Sequence, residues 1–587
     1  MSQDRRSSDI WKHFTKIDSN IALCDICKKK YSYKTSVTNL KKHLHHSHLL
    51  HTYSYSSEDC GDVDNPLSVT QLVNAEKPES VVQESSTSSN SSQAALENAT
   101  PILNINPFKR KQLAITNYIP KKISVDSQKK IDNAFIKLFT KDLQPFSVVD
   151  DVGFKEFVNL LNPGYKIPNR HAISKTLIPA AYEKCFNEVI EIINDLEMAC
   201  MTTDCWTSRN TESYIAITVH FLNSNFVLKS ILLSCHSFNE SHTSEHLSEQ
   251  INKTLNTWGI RNKISLAVSD NAYNVQNALS ILQLKHFGCF AHTLNLIVQS
   301  AISKESDIIN KVKSICTHFH KSTTANSKFM TYQKNNGIKE PKKILQDVST
   351  RWNSTFYMLE RFVELETSIR APNVLNPNEW TVIKEFCKVL QPFEEATKAV
   401  SGEQYITASM VIVIAQGLQD VCLQLKHEDY SQQTKDLING MKDRQNWGNL
   451  QKSMTLSRCT FLDPRLKHIP FSHSESTRTS VQNNVVNKQV SQVQPVIKTS
   501  TARALVEVQR YLEEPILKRN GNPLEWWQQH KYNYPYLSIL ARKTLCNLGS
   551  SVPCERIFSK AGLILSDRRC RLKSKKAEML LFLNQNS

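Results

Sequence analysis

No stretch of this 587-residue chain approaches the roughly 18 consecutive apolar residues that a membrane-spanning helix needs. The polar start, Met1-Ser2-Gln3-Asp4-Arg5-Arg6, has no apolar segment behind it of the kind a secretion leader carries. These two absences remove a membrane partner and an oxidising compartment from the expectations. Acids are also in short supply. Only 55 Asp and Glu stand against 72 Lys and Arg, leaving a net charge of +17, so polyanions are the favoured partners and nucleic acid the first of them. The 15 cysteines are scattered along a long chain, which reads as reduced thiols plus one metal pair rather than a disulfide framework. No segment points to a small-molecule substrate. The compartment expected is cytosol or nucleus, and Lys109-Arg110-Lys111 with Lys121-Lys122 is a short basic run of the nuclear-import type.

What is present begins with Cys24-Asp25-Ile26-Cys27, followed by His43-Leu44-His45-His46-Ser47-His48. Two thiols two residues apart and two imidazoles spaced for one helical face make a tetrahedral nitrogen/sulfur cage suited to Zn2+. The ligands expected are Cys24, Cys27, His43 and His48, with His45 and His46 as stand-ins. Thiolate and imidazole ligands leave no open position, so the zinc is structural and contributes folding free energy. Trp11 and Phe14 precede the cage at helical spacing, and Tyr31 and Tyr33 alternate as in a strand. Thr38-Asn39 offers a cap to a helix carrying Leu40, His43, Leu44 and His48. Residues 4–52 therefore read as a small ββα-like finger flanked by lysines.

At this length a single core does not suffice. Residues 53–106 form a polar linker whose run Glu84-Ser85-Ser86-Thr87-Ser88-Ser89-Asn90-Ser91-Ser92 cannot bury enough apolar surface to fold. Residues 107–197 turn helical, with one apolar stripe of Ile131, Phe135, Leu138 and Phe139 and another of Phe154, Phe157, Val158 and Leu161. An accessory DNA-binding role is expected there. Residues 198–304 are strand-rich: Met198–Thr203, Tyr214–Leu222, Phe226–Cys235 and Ile264–Ser269 read as strands, with an amphipathic helix over Glu245–Trp258. Three strands, a helix and a strand suggest an α/β layer with a mixed sheet. Residues 305–530 look helical, with 471–502 as a second flexible connection, and 503–587 are helical again.

Asp204 and Asp270 each directly follow an apolar strand, where carboxylates from neighbouring strands can converge on a pair of Mg2+ ions. Strand-end aspartates also serve as ordinary helix caps. Cys289 and His292 open an apolar helix, either as a partial metal pair or as a buried thiol beside a capped helix start. Arg351-Trp352 pairs a guanidinium with a flat ring, suited to gripping nucleic acid or to packing in a core. Ser551-Val552-Pro553-Cys554-Glu555 has helix-start chemistry, and Glu555 could instead reach a metal.

In this order the motifs form one pattern. The finger resembles a BED-type zinc finger in Trp11, Phe14, Cys24-x-x-Cys27, Asn39-Leu40-x-x-His43 and His48. The remainder resembles a hAT-superfamily transposase in Thr203-Asp204-Cys205-Trp206-Thr207-Ser208, Ser269-Asp270-Asn271-Ala272-x-Asn274 and Cys289-x-x-His292-x-Leu294-Asn295-Leu296. Arg351-Trp352-Asn353-Ser354-Thr355, Leu462-Asp463-Pro464-Arg465-x-Lys467 and Ser551-Val552-Pro553-x-Glu555-Arg556-x-Phe558-Ser559 continue the likeness. The resemblance implies a multidomain α/β protein with a ribonuclease-H-like core interrupted by a large helical insertion and closed by a helical dimerisation region. It also implies a catalytic triad of Asp204, Asp270 and Glu555 on Mg2+, supported by Cys289, His292, Arg351 and Trp352. The apolar helix Ala577–Leu583 would pack partly between subunits. The partners implied are double-stranded DNA and further copies of the chain, as a dimer or higher oligomer in the nucleus. An active member would be a DDE-type DNA transposase, a nuclease and strand transferase. Many relatives are instead non-catalytic transcription regulators or chromatin-binding proteins. Cys554 departs from the serine usual at its position.

Overall fold

A computed structural model describes residues 11, 13–18, 20–32, 40 and 43, and residues 123–587 apart from 209–210, 239, 370–374, 444–446, 448–449, 492–499 and 566–571. The chain divides into two compact units, Met1–Lys109 and Arg110–Ser587.

In the first unit, β1 (Phe14–Lys16), β2 (Ile21–Cys24) and β3 (Lys30–Ser32) form an antiparallel sheet in the order β1-β2-β3. The finger thus has one strand more than the ββα-like expectation, and Phe14 lies in β1 rather than on a helix with Trp11. The reason is local. Phe14 pairs with Cys24 in register and buries its ring, and the alternation of strand side chains leaves Thr15 outside. The apolar core of this unit is small: Phe14, Ala22, Cys24 and Leu40, with Trp11, Cys27 and Tyr31 packed against them. Tyr33, Thr38, Asn39, His45, His46, His48 and the 53–106 linker lie outside the described residues.

The second unit is built on a five-stranded sheet. Its strands are β4 (Ala199–Thr207), β5 (Ser213–Leu222), β6 (Leu228–Ser237), β7 (Ile264–Ser269) and β8 (His286–Gly288), in the order β6-β5-β4-β7-β8. The first three pair antiparallel, and β7 and β8 add parallel to them. This is the mixed α/β sheet expected, with β8 as an addition too short to show a pattern in the sequence. The helices that bear on the site are α1 (Val125–Thr140), α2 (Val152–Leu161), α3 (Ile178–Asn194), α4 (Ser244–Thr257), α5 (Tyr273–Ile281), α6 (Phe290–Lys304), α7 (Trp352–Glu364), α8 (Val411–Leu425), α9 (Met454–Phe461), α10 (Glu475–Val490), α11 (Pro535–Leu545), α12 (Val552–Ile564) and α13 (Ser574–Asn586).

Strand alternation sorts the side chains between two cores. Ala199, Met201 and Ala267 join the core that holds Ile193 of α3, Leu255 of α4 and Leu583 of α13. Cys200, Leu266 and Val268 join the core of the helical insertion, with Leu294, Trp352 and Trp527. The insertion leaves the sheet after β8 and returns through α11 and α12.

Several sequence expectations need correction. The stretch 471–502 holds the helix α10, because Ser474 caps it and Val481, Val485 and Val486 share a buried face. The apolar stripe of α1 buries Phe135 and Phe139, but α2 buries none of its residues, leaving Phe157 and Leu161 exposed. The segment Ala577–Leu583 of α13 packs largely into the chain's own core: Ala577, Leu580, Leu581, Phe582 and Leu583 are covered, Phe582 meets Tyr182, Phe186 and Trp258, and Glu578 and Met579 stay half-buried. One segment, Ala408–Leu425, does reach membrane-spanning length and apolarity, with a mean hydropathy of 1.4. Its Val411, Ile412, Ala415, Leu418 and Cys422 pack into the insertion core.

Candidate metal centre and catalytic cleft

In the finger the turn after β2 brings the thiols together. Lys28 N–H donates to the Cys24 carbonyl (2.8 Å) and Cys24 N–H to the Lys29 carbonyl (2.9 Å), with Lys28 held at φ 57°. The turn places Cys24 and Cys27 on one side of the sheet edge. His43 completes a group whose three ligand atoms lie within 4.8 Å of one another, with Cys27 Sγ 3.3 Å from His43 Nε2. Tyr31 stacks on the His43 ring at 4.0 Å and fixes its plane. Two sulfurs and one nitrogen at this separation fit Zn2+, whose preferred ligand set is thiolate and imidazole.

In the second unit, register explains how Asp204 and Asp270 meet. The parallel ladder pairs Thr202 with Val268 and then ends. Two residues further on are Asp204 and Asp270, side by side and on the same face. Asp204 is not at a strand end, as its position after an apolar run suggested. β4 continues to Thr207 because β5 still pairs it there, Asp204 opposite Ala216. Asp270 does follow the last residue of β7, and its Oδ1 accepts from Ala272 N–H (3.3 Å), so it also braces the turn into α5.

Glu555 arrives from 285 residues beyond Asp270 on α12, in the helix's first turn. Alternation again explains the meeting. Cys200, Thr202, Asp204 and Trp206 share one face of β4, and α12 lies on it. Cys554 Sγ sits 3.1 Å from Thr202 Oγ1, and Phe558 stacks on Trp206 at 5.8 Å. The start of α12 is tied to the start of α6: Phe290 N–H donates to the Gly549 carbonyl (2.9 Å), and Ser551 N–H to Cys289 Sγ (3.3 Å). Gly549 leaves no room for a side chain there, since a Cβ would lie 2.7 Å from Val411 Cγ2.

Asp204, Asp270, His292, Arg351 and Glu555 line one cleft of about 560 Å3, together with Asn295, Asn353 and Ser559, which stand in the matching motifs but take no role from the sequence alone. Arg351 Nη2 stands 3.4 Å from Glu555 Oε2. Burial, then the charge of Asp270, then that of Glu555 push the Asp204 carboxyl up to about 7, against a lowering hydrogen bond from Cys205 N–H. A cluster of carboxylates under this strain fits a divalent cation, which relieves both burial and repulsion.

Two supporting residues take other roles. Cys289 is wholly buried, caps α6 by accepting from His292 N–H (3.4 Å), and has its thiol pushed up by burial, so it positions helices and does not face the cleft. Trp352 is 1% exposed and packs with Phe356 in the insertion core; its backbone N–H donates to Asn295 Oδ1 (3.1 Å). The Leu462–Lys467 motif is also structural. Asp463 is buried and accepts from Ser409 Oγ (2.7 Å) and from Arg465 Nε (2.9 Å) and Nη2 (2.7 Å), while Lys467 Nζ donates to the Tyr511 carbonyl (2.6 Å). Beneath the cleft runs a buried polar chain: Thr202 Oγ1 to Thr218 Oγ1 (2.5 Å), then Thr218 Oγ1 to His220 Nε2 (2.8 Å). Complete burial pushes His220 down to about 3, so the ring is neutral.

Comparison with known sequence families places a BED zinc finger at residues 8–49 and a ZBED1 RNase-like domain at 202–320. A ZBED1 RNase-like helical domain follows at 287–389, and the hAT family C-terminal dimerisation region at 507–587. The human protein named "Zinc finger BED domain-containing protein 4" is 26% identical over 514 residues, covering 78% of this chain and 43% of that protein. The Zea mays protein named "Putative AC transposase" is 26% identical over 507 residues, covering 74% of this chain and 62% of that protein. The human "Zinc finger BED domain-containing protein 6" is 24% identical over 520 residues, 79% of this chain and 52% of that protein. The chain spans about half the length of these relatives.

Proposed function

The chain is a BED zinc finger protein with RNase-like domains and a hAT family C-terminal dimerisation region, and from that premise we propose that it binds double-stranded DNA in the nucleus as a dimer or higher oligomer and cuts and joins DNA strands as a hAT transposase does. The observation that carries the catalytic part is the meeting of Asp204, Asp270 and Glu555 in one cleft. Structural Zn2+ on Cys24, Cys27, His43 and His48 shapes the finger that reads the duplex.

Asp204, Asp270 and Glu555 would hold a Mg2+ pair, which supplies Lewis acidity at the phosphodiester and an activated water or DNA 3′-hydroxyl at neutral pH. The chain's own residues do the rest. Arg351, largely exposed beside Glu555, grips a phosphate oxygen of the strand in the cleft. The imidazole of His292 lies in the same cleft and can take or return a proton there. Cys289, Gly549 and Ser551 keep Glu555 in place against β4.

The test uses the full chain and a supercoiled plasmid carrying a sequence selected by binding to it. Wild type nicks the plasmid in Mg2+ but not in EDTA, and Asp204→Ala lowers nicking at least about 1000-fold while retaining DNA affinity. Wild type that binds tightly and never nicks removes the transposase reading and leaves a non-catalytic transcription regulator.

A further inference from the structure

The strands that carry the carboxylates have a second cleft at their opposite ends. Met198, just before β4, and Ile264, the first residue of β7, line a cavity of about 420 Å3. Met198 and Asp204 are six positions apart, about 20 Å along a strand at 3.3 Å per residue, so this is not part of the catalytic cleft.

The lining is cationic. Lys285 before β8, Arg458 of α9, Lys488 of α10 and Lys543 of α11 converge on it from four separate elements, and it contains no Asp or Glu. Lys543 is matched at the rim by Glu197 Oε2, 3.2 Å from its Nζ. Lys285, Arg458 and Lys488 have no carboxylate partner among the described residues. Arg458 Nη1 donates to Asn484 Oδ1 (3.0 Å), but its Nε is buried without a hydrogen-bond partner among those residues. Partial burial, then Arg458, then Lys488 push the Lys285 ammonium down from its ordinary value. Three like charges without a carboxylate are unfavourable as they stand, and an oxyanion in the cleft would relieve them.

Shape decides which oxyanion. A duplex backbone spreads its charge along a convex ridge, about one per 1.7 Å of axis. Here Lys285, Arg458 and Lys488 line one concavity instead. We propose that this cleft binds a compact polyphosphate group, held by Arg458, Lys285 and Lys488.

The experiment uses the full chain with inorganic pyrophosphate as probe, followed by calorimetric titration and thermal melting. Lys285→Gln/Lys488→Gln changes two exposed side chains and is compared with Lys328→Gln/Lys339→Gln, which removes the same charge elsewhere. Pyrophosphate should raise the melting temperature of wild type and of the second variant. The first variant should bind at least tenfold more weakly and lose the shift. All three proteins keep the finger and the carboxylates, so sequestration of metal by the probe moves them alike. Equal binding by all three, or no binding by wild type, overturns the proposal. So does a loss of duplex DNA affinity in the first variant with no pyrophosphate effect in wild type, which would assign the cleft to DNA backbone.

Discussion

The finger and the RNase-like unit solve the same problem with different physics. Among the described residues the finger buries Phe14, Ala22, Cys24 and Leu40 beside a group of two thiols and an imidazole; the second unit has two extended apolar cores, between which the side chains of β4 and β7 alternate. A domain this small gains little from burial against the entropy of ordering its chain, and a structural metal supplies the difference. The second unit is held by burial, and its polar cluster of carboxylates is a local cost that the surrounding packing supports. The two regions divide accordingly: a metal-ligand group shapes one, while in the other the fold gathers the carboxylates.

The largest expected effect tests that division directly. Cys24→Ser, or chelation, removes a structural ion worth about 10 kcal/mol or more to such a domain. The finger's amide spectrum should collapse and DNA affinity fall at least about 100-fold, while the melting of the RNase-like unit stays in place. Loss of both units together would break the comparison.

Trp352→Ala comes next. Because the ring is core and not a base-stacking platform, urea unfolding should show a loss of about 3–5 kcal/mol. A variant of normal stability and reduced DNA affinity would contradict the burial seen here.

The third effect concerns pH. Folded His220 takes up a proton only near about 3, whereas the unfolded chain does so near 6.5. Between these values the unfolded state binds more protons, so stability falls as pH drops below 6.5, by roughly 1.4 kcal/mol per unit, or about 2 kcal/mol at pH 5. Wild type should show that slope in denaturant titrations, and His220→Gln should lack its contribution.

The smallest effect on stability sharpens the contrast with Trp352. Arg351→Ala removes an exposed ion pair worth no more than about 1 kcal/mol. Folding should hardly change, while the rate of Mg2+-dependent nicking drops about tenfold or more. Equal losses in both would place Arg351 in the framework rather than in the cleft.

Much of this was legible in the sequence because its signals are local. The Cys24-x-x-Cys27 spacing, the apolar run Ile264–Ser269 and the amphipathic period of Glu245–Trp258 each report the geometry of a few neighbouring residues. What escaped was short or long-range. β8 has three residues, too few for a pattern, and α10 is polar except for four valines, of which Val481, Val485 and Val486 are buried. β1 looked helical because Trp11 and Phe14 are three apart, but pairing with β2 overrides that spacing. For Cys289 and Trp352 the sequence left a site role and a buried role open, and burial decides for the second.

The amino-acid order alone determined the metal ligands that are close in the chain, the alternation that gives β4 two faces, and the excess of positive charge. These depend on bonds and periods spanning a few residues. The resemblance implied that Asp204, Asp270 and Glu555 act together, but only the tertiary structure supplied the register and packing that bring them to one cleft and gather Lys285, Arg458 and Lys488 at the far end of the same strands. Those meetings rest on strand register and on helices packed against a sheet face, and contacts between residues hundreds of positions apart leave no periodic trace in the chain that makes them.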